Sequence, residues 1–499
     1  MDATLYTAIC VVLTLAVLYI FSISSNWKKN SKTPQNNFPP GPRRLPLIGN
    51  LHNVDLKKPH LAYFKLSKIY GPVFSIQLGS KRTVILAGYE TVRDALVNHA
   101  DEFSGRALAP MFQKMDHGNG IIWSNGENWK VMRRFTISTL RDFGMGKSSI
   151  EEKITEECSH LIQHFESFKG KPFESTMILN GSVANIIVSV LLGKRMDYED
   201  KTFLRLLKLI NENVQLFGSP QVALYNIFPF IRFLPGDYKK LTTNLKELFA
   251  FIKSTFVEHM KNLDILDPRS IVDAFLVRQK MSQEKENGES YFHNDNLSSL
   301  VRNLFSAGME TTSTTLRWGL LLMIKYPHVQ EKVQEEISRI IGLANPSYNH
   351  RADMPYTNAV VHEIQRFADV VPLNVPHETT KDVIFKGYFI PKGTYVIPLL
   401  TSVLRDKTQF DYPEEFNPNN FLDSEGNFLK KDAFIPFSAG RRVCAGENLA
   451  RMELFIFFAS LLQKFTFRLP PGITAVNLDT LVGFTNTPTP QKICAISRY

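Results

Sequence analysis

The sequence predicts a mainly α fold with small β-sheets. Most of the chain repeats its apolar residues at helical spacing, only a few short stretches alternate with period two, and no internal repeat or low-complexity tract is present. Helices are expected over 91–99, 127–142, 150–168, 176–192, 201–216, 238–262, 297–325, 327–341, 356–369 and 447–464. Val73 to Leu78 and Thr83 to Leu86 alternate around Gly79-Ser80 and read as a hairpin, and Thr394 to Leu399 reads as a later strand. With 499 residues, 44% hydrophobic and 21% charged, the chain is neither disordered nor fibrous. It exceeds the ~250–300 residues at which one core usually splits, so it holds two domains or one large domain organised by a cofactor.

Ala3 to Trp27 carry no formal charge, and Ile9 to Phe21 are almost wholly apolar. That length meets the ~20 residues of a spanning helix, so residues 1–27 are expected to be a membrane anchor. A cleaved signal peptide is the rival, but the start is Met1-Asp2 and the only cleavage-like site is Ser22-Ile23-Ser24. Lys28, Lys29 and Lys32 follow directly, which puts the rest of the chain in the cytosol. Residues 28–42 are a basic, proline-rich linker ending in Phe38-Pro39-Pro40-Gly41-Pro42, expected to be a stiff non-helical spacer.

The four cysteines (Cys10, Cys158, Cys444, Cys494) show no paired spacing, which argues against a disulfide framework or a zinc finger. A net charge of +10 suits anionic lipid or an acidic protein partner. Nucleic acid is disfavoured, because no basic cluster is interleaved with stacking aromatics. Phe217 to Phe233 is apolar but broken, and it suits a dip into a bilayer surface, a pocket lid or core packing.

One cysteine has a special setting. Phe437-Ser438-Ala439-Gly440-Arg441-Arg442-Val443-Cys444-Ala445-Gly446 precedes the apolar helix from Leu449. Free amides and the dipole at a helix N-terminus are expected to lower the Cys444 pKa and favour thiolate. Gly440 and Gly446 leave room for a flat macrocycle against the backbone, and Arg442 can neutralise a carboxylate. An inert core cysteine would not need these neighbours. That bland reading suits Cys10, Cys158 and Cys494.

The segment resembles the haem-binding signature of the cytochromes P-450, Phe-x-x-Gly-x-Arg-x-Cys-x-Gly, with every fixed position filled. The resemblance implies a cytochrome P-450 fold in which residues 43–499 form a single haem-centred domain. It also implies haem b with Cys444 as the axial iron ligand, and Phe437, Gly440, Arg442 and Gly446 in the haem cradle. Glu363-Ile364-Gln365-Arg366 is similar to the family's Glu-x-x-Arg pair. By itself, Glu363 with Arg366 at i,i+3 would be a commonplace surface ion pair. The family's third partner comes from a Pro-x-Arg/His-Phe motif that here reads Pro418-Asn419-Asn420-Phe421, so Asn420 offers only amide hydrogen bonds.

Ala307-Gly308-Met309-Glu310-Thr311-Thr312 resembles the family's oxygen-activation motif. Its glycine and hydroxyls are expected to widen the helix locally. The resemblance makes Thr311 the residue that hydrogen-bonds oxygen and Glu310 part of the proton-delivery network. Trp129 and Arg133 match the Trp-x-x-x-Arg motif, one turn apart and able to address one propionate, and Arg106 and His377 correspond to further propionate contacts. By similarity the pocket walls are Phe112, Ile122, Trp123, Phe217, Leu304, Ala307, Val371, Val375 and Phe484, which favours a lipophilic substrate.

The resemblance covers nearly the whole chain and is nearest to family 2 of the vertebrate microsomal enzymes, with a fish-type subfamily K member as the finer expectation. It implies insertion of one oxygen atom from O2 into a xenobiotic, fatty acid, steroid or retinoid at the cytosolic face of the endoplasmic reticulum membrane. The chain has no dinucleotide-binding glycine motif, so NADPH electrons would arrive through the FAD and FMN of NADPH-cytochrome P-450 reductase, and in some members through cytochrome b5. Lys130, Arg134 and Arg441 are candidates for the docking face. Two other classes remain open. A haem-thiolate isomerase would need no reductase, and a haem or lipid carrier would not turn over.

Overall fold

The computed structural model describes residues 37–145, 148–283 and 291–499, together with Thr14. The expected anchor over 1–27 lies outside the described residues apart from Thr14. Among the described residues no helix is long and apolar enough to cross a membrane. The described residues form two compact units, one of those up to residue 107 with 373–399, the other of those within 108–372 and 400–499.

The first unit is built on a five-stranded sheet in the order β1-β2-β8-β5-β3. β1 (Val73–Leu78) and β2 (Lys81–Leu86) are the expected hairpin, with Leu78 opposite Lys81 and the turn at Gly79-Ser80. β3 (Gly105–Arg106) and β5 (His377–Glu378) are short, and β8 (Tyr395–Pro398) lies parallel to β2. A separate hairpin pairs β6 (Val383–Phe385) with β7 (Tyr388–Ile390). α1 (Pro59–Tyr70) covers the sheet, and Tyr63, Phe74, Ile76, Ile85 and Leu399 share a core beneath it. The proline-rich stretch is non-helical, as expected, but it is no free spacer. Ser75 donates through its amide to Pro40 O at 2.7 Å and through its hydroxyl to Pro39 O at 2.7 Å, so the stretch lies along β1. A β-carbon at Gly41 would stand 1.9 Å from Ser75 O, which only glycine avoids. Short α2 (Tyr89–Arg93) runs into a π-turn over Asp94–Asn98, where 91–99 is expected to be one helix.

The second unit is helical. Its elements are α3 (Pro110–Asp116), α4 (Gly126–Asp142), α5 (Ser148–Ser167), α6 (Thr176–Leu192), α7 (Lys201–Phe217), α8 (Pro220–Ile227), α9 (Asp237–Lys261), α10 (Ile271–Gln283), α11 (Asn294–Lys325), α12 (Pro327–Ile340), α13 (Pro355–Ala368), α14 (Leu400–Leu404) and α15 (Glu447–Lys464). The three-stranded sheet β4-β10-β9 (Phe173–Glu174, Lys492–Ser497, Phe465–Arg468) also belongs to it. Helices α6 and α15 are apolar on nearly all sides and are buried as that pattern requires, and α11 is buried along most of its length although many of its residues are polar. Glycine here serves close approach rather than flexibility: a β-carbon at Gly308 of α11 would meet Ile187 of α6 at 2.6 Å. α11 is α-helical from Asn294 to Lys325, and its hydroxyls return to the carbonyl one turn back, Thr311 to Ala307 at 2.9 Å, Ser313 to Met309 at 2.8 Å and Thr315 to Thr311 at 2.8 Å. The broken segment after Phe217 resolves into α8, capped by Ser219 with Pro220 at its first position, and a 3-10 turn over Pro229–Phe233. Phe230 and Phe233 on that turn are 70% and 71% exposed.

Candidate active site

The loop Phe437 to Gly446 enters α15. Gly440 has a φ of +71° and starts a one-turn 3-10 helix, a conformation that L side chains rarely adopt. The turn brings the Cys444 amide to Phe437 O at 3.0 Å, so the loop closes on itself around the sulfur. Cys444 stands just ahead of the helix start at Glu447 and its side chain is exposed, while Cys158 and Cys494 are buried core residues. One expectation is corrected here. Desolvation by the surrounding protein pushes the Cys444 thiol up, and Glu447 adds to this. The Gly446 amide and the Arg133 guanidinium pull the other way without winning.

The same loop meets α4. Arg133 donates Nη2 to Val443 O at 2.7 Å. Arg442 donates Nη2 to Ser124 O at 2.9 Å and to Asn125 Oδ1 at 3.1 Å, and its guanidinium stacks over the Trp129 ring at 3.8 Å. The Trp129 Nε1–H is buried and has no partner among the described residues. Burying such a donor costs about 1–3 kcal/mol unless an acceptor meets it. An indole N–H and two guanidinium groups beside one sulfur suit the carboxylates of an iron tetrapyrrole, so these residues fit haem. In the first unit Arg106 and His377 face each other across β3 and β5, both buried. Arg106 donates Nη1 to Val375 O at 2.7 Å, and His377 Nδ1 donates to Phe103 O at 2.6 Å.

Helix α11 carries further expected site residues. Ala307 is exposed and Leu304, Gly308 and Thr311 are half-buried, while Met309, Glu310 and the residues from Thr312 to Ile324 are buried. The spacing of 304, 307, 308 and 311 puts these residues on one accessible stripe of the helix. Thr311 lies on that stripe. Glu310 does not, because a one-residue step turns its side chain about 100° away. It is 3% exposed and set against Thr314, Thr485 and Thr487, at 3.2, 3.2 and 3.1 Å from its Oε1. Burial pushes its carboxyl up, opposed by Arg317 and these hydroxyls.

Several expected pocket residues meet. Phe112 stacks on Trp123 at 3.6 Å and lies 5.6 Å from Phe217. Ile122 is held by Asn303 of α11, whose Oδ1 accepts from the Ile121 and Ile122 amides at 3.0 and 3.1 Å. Phe484 donates its amide to Val214 O at 3.2 Å, and Val371 is half-buried beside Val370, whose carbonyl accepts from Asn486 at 2.9 Å. Val375 lies in the first unit. A separate cavity of about 40 Å³, lined among others by Val188, Phe203, Leu248, Val301 and Phe305, opens on a different face of α11 and was not foreseen.

Glu363 and Arg366 are far from the surface pair that their spacing alone suggests, both being 0% exposed. Nε and Nη2 of Arg366 reach the two carboxylate oxygens at 2.7 Å each. The remaining donors go to Leu404 O, Pro413 O and Glu415 O at 2.9, 2.7 and 2.7 Å. The Asn417 amide donates to Glu363 at 2.7 Å, whereas Asn420 Nδ2 stands 3.5 Å away and Asn420 Oδ1 accepts from Asp411 N. The third partner of the pair is thus a backbone amide. Sequence reasoning missed Asn303, Asn417, Thr485 and Thr487. None carries a local signal, since each acts across more than fifty residues of chain.

A mainly helical fold that presents one loop cysteine among anion-binding donors defines a haem-thiolate protein. Residues 39–495 match the family model described as Cytochrome P450, and the chain belongs to that family. It is 49% identical over 498 residues to cytochrome P450 2K1 of Oncorhynchus mykiss, covering 99% of this chain and 97% of that protein. It is 50% identical over 456 residues to cytochrome P450 2K6 of Danio rerio (91% and 90% covered), and 45% identical over 491 residues to cytochrome P450 2C8 of Homo sapiens (98% and 99% covered). The chain falls in family 2, with fish subfamily K proteins among its relatives. Its activity is that of a haem-thiolate monooxygenase acting on lipophilic substrates, in the microsomal setting of the endoplasmic reticulum.

Proposed function

We propose that Cys444 ligates the haem iron and that residues 43–499 serve as one haem-centred monooxygenase domain, a reading that the family match over 39–495 supports. When bound, haem supplies the iron at which dioxygen is activated for insertion of one oxygen atom. Trp129, Arg133 and Arg442 hold propionates, with Arg106 and His377 as further contacts. Phe437, Gly440 and Gly446 shape the loop around the sulfur. Thr311 offers its hydroxyl on the open stripe of α11 and Glu310 holds a proton one position away, so that water formation can draw protons from the protein. Phe112, Ile122, Trp123, Phe217, Leu304, Ala307, Val371, Val375 and Phe484 exclude water from a lipophilic substrate.

Residues 1–27 anchor the chain as a single pass with the catalytic part in the cytosol, and the exposed Phe230 and Phe233 give a second touch on the lipid surface. Lys130, Arg134 and Arg441, all exposed, receive NADPH-cytochrome P-450 reductase and cytochrome b5. The observation that carries the reading is the closed loop around Cys444 with the partnerless Trp129 N–H beside it. Purified full-length protein reconstituted with reductase, NADPH and O2 should oxygenate a lipophilic substrate and show a thiolate-type Soret band when reduced under carbon monoxide. Cys444→Ser should lose both. Turnover without reductant would instead identify an isomerase, and haem binding without turnover a carrier.

A further inference from the structure

Three oxygens around Glu310 form a closed triangle. Thr485 Oγ1 and Thr487 Oγ1 lie 3.2 and 3.1 Å from Glu310 Oε1 and 2.9 Å from each other. Each side of the triangle needs one hydrogen, and each threonine hydroxyl owns one. An ionised carboxylate adds none, which would leave one side with lone pairs opposed in a buried site. A neutral carboxylic acid supplies the third hydrogen and satisfies every side at once.

The charged surroundings fit as well. Arg317, the one cation acting on Glu310, makes no ion pair with it among the described residues; its Nη2 goes to Pro488 O at 2.8 Å and its field is shared with Glu174. The loop cannot drift away from the acid. Trp318 Nε1 donates to Asn486 O at 2.8 Å, and Asn486 is bound in turn to Val370 O and Asp369 O. The triangle is therefore held by residues on both sides of Asn486.

We propose that Thr485 and Thr487 are positioning residues that keep Glu310 as a neutral acid, its proton stored in a closed ring of hydrogen bonds, so that Glu310 enters the reaction as a proton donor. The inference rests on the reading of Glu310 and Thr311 as the proton-handling pair. When the proton leaves, Glu310 becomes a carboxylate, one side of the triangle loses its hydrogen, and the ring re-forms once solvent returns a proton.

Infrared difference spectra of the full-length haem-loaded protein against Glu310→Gln, in H2O and D2O at neutral pH, test the stored proton. A protonated-carboxyl C=O band that depends on Glu310 and shifts in D2O is expected. In Thr485→Val/Thr487→Val the band should move to higher frequency as its hydrogen bonds go. Product formed per NADPH should fall roughly tenfold, the worth of one ~1.4 kcal/mol hydrogen bond. The Thr485→Ser/Thr487→Ser variant should restore both. A wild-type spectrum that shows Glu310 as carboxylate overturns the proposal, as does a valine pair with unchanged band and coupling. If Glu310→Gln couples like wild type while the band is present, it is the proton-pair reading that fails, and the donor role goes with it.

Discussion

Removal of Arg366 is the sharpest test of how the second unit is held together. Its five guanidinium donors are all engaged, two on Glu363 and three on the carbonyls of Leu404, Pro413 and Glu415, in a site with 0% exposure. Arg366→Met keeps the volume and removes every donor. Stranding a buried carboxylate costs about 3–5 kcal/mol. Glu363 can limit that loss by taking up a proton, since burial already pushes its carboxyl up. The three orphaned carbonyls add about 1 kcal/mol or more each where water cannot reach them. A total of roughly 4–8 kcal/mol consumes most of the ~5–15 kcal/mol that stabilises a typical domain. Urea unfolding followed by circular dichroism, with the thiolate-type carbon monoxide spectrum as a readout of intact sites, should show a steep fall in both. Adding Glu363→Met should recover a large part, because the stranded acid rather than the lost attraction carries the cost. Asn420→Ala should cost only about 1 kcal/mol, its Glu363 contact being 3.5 Å long. A midpoint for Arg366→Met within about 1 kcal/mol of wild type would refute the reasoning.

Three further outcomes are expected. Asp369, buried with one hydrogen bond to Thr401, has its carboxyl pushed up to about 7 by desolvation. From its ordinary value of 3.8 up to about 7 the folded protein holds a proton that the unfolded chain has lost, so stability falls as pH rises through that window. At ~1.4 kcal/mol per tenfold in proton affinity the loss approaches roughly 4 kcal/mol above it. Asp369→Asn, tolerated at its left-handed φ of 45°, should therefore unfold at a higher temperature than wild type in alkaline buffer and lose that advantage near pH ~4. An advantage independent of pH would count against the assignment. Trp129→Phe removes one N–H to a carboxylate, worth about 1.5–3 kcal/mol, so haem transfer to apomyoglobin should quicken roughly tenfold or more; an unchanged rate would remove Trp129 from the cradle. Thr311→Ala gives up only a back-bond to Ala307, so melting should stay within about 0.5 kcal/mol of wild type. Oxygen consumed per product should rise, and unchanged coupling would contradict its proton role.

The elements that could be read in advance are those whose signals are local. The Gly79-Ser80 turn, the boundaries of α6 and α15 and the cysteine loop each lie within one short window, where periodicity and turn chemistry act directly. Five helices escaped: Pro59–Tyr70, Pro110–Asp116, Pro220–Ile227, Ile271–Gln283 and Leu400–Leu404. Three of them begin with proline at the first turn, a start signal that deserved more weight than their weak periodicity. The others are short or buried over much of their length, so no amphipathic stripe marks them.

Sequence by itself determined the helical class, the family and the residue types of the cysteine loop, because those follow from short motifs and from composition. Only the tertiary structure decided burial and partnership. Glu310 turns from Thr311 toward two threonines that lie 175 and 177 residues away. Glu363 finds the backbone amide of Asn417, at 2.7 Å, as its third partner. The reason is the same each time: desolvation and hydrogen-bond satisfaction depend on everything within a few ångströms, and in a folded chain most of that comes from elsewhere in the sequence.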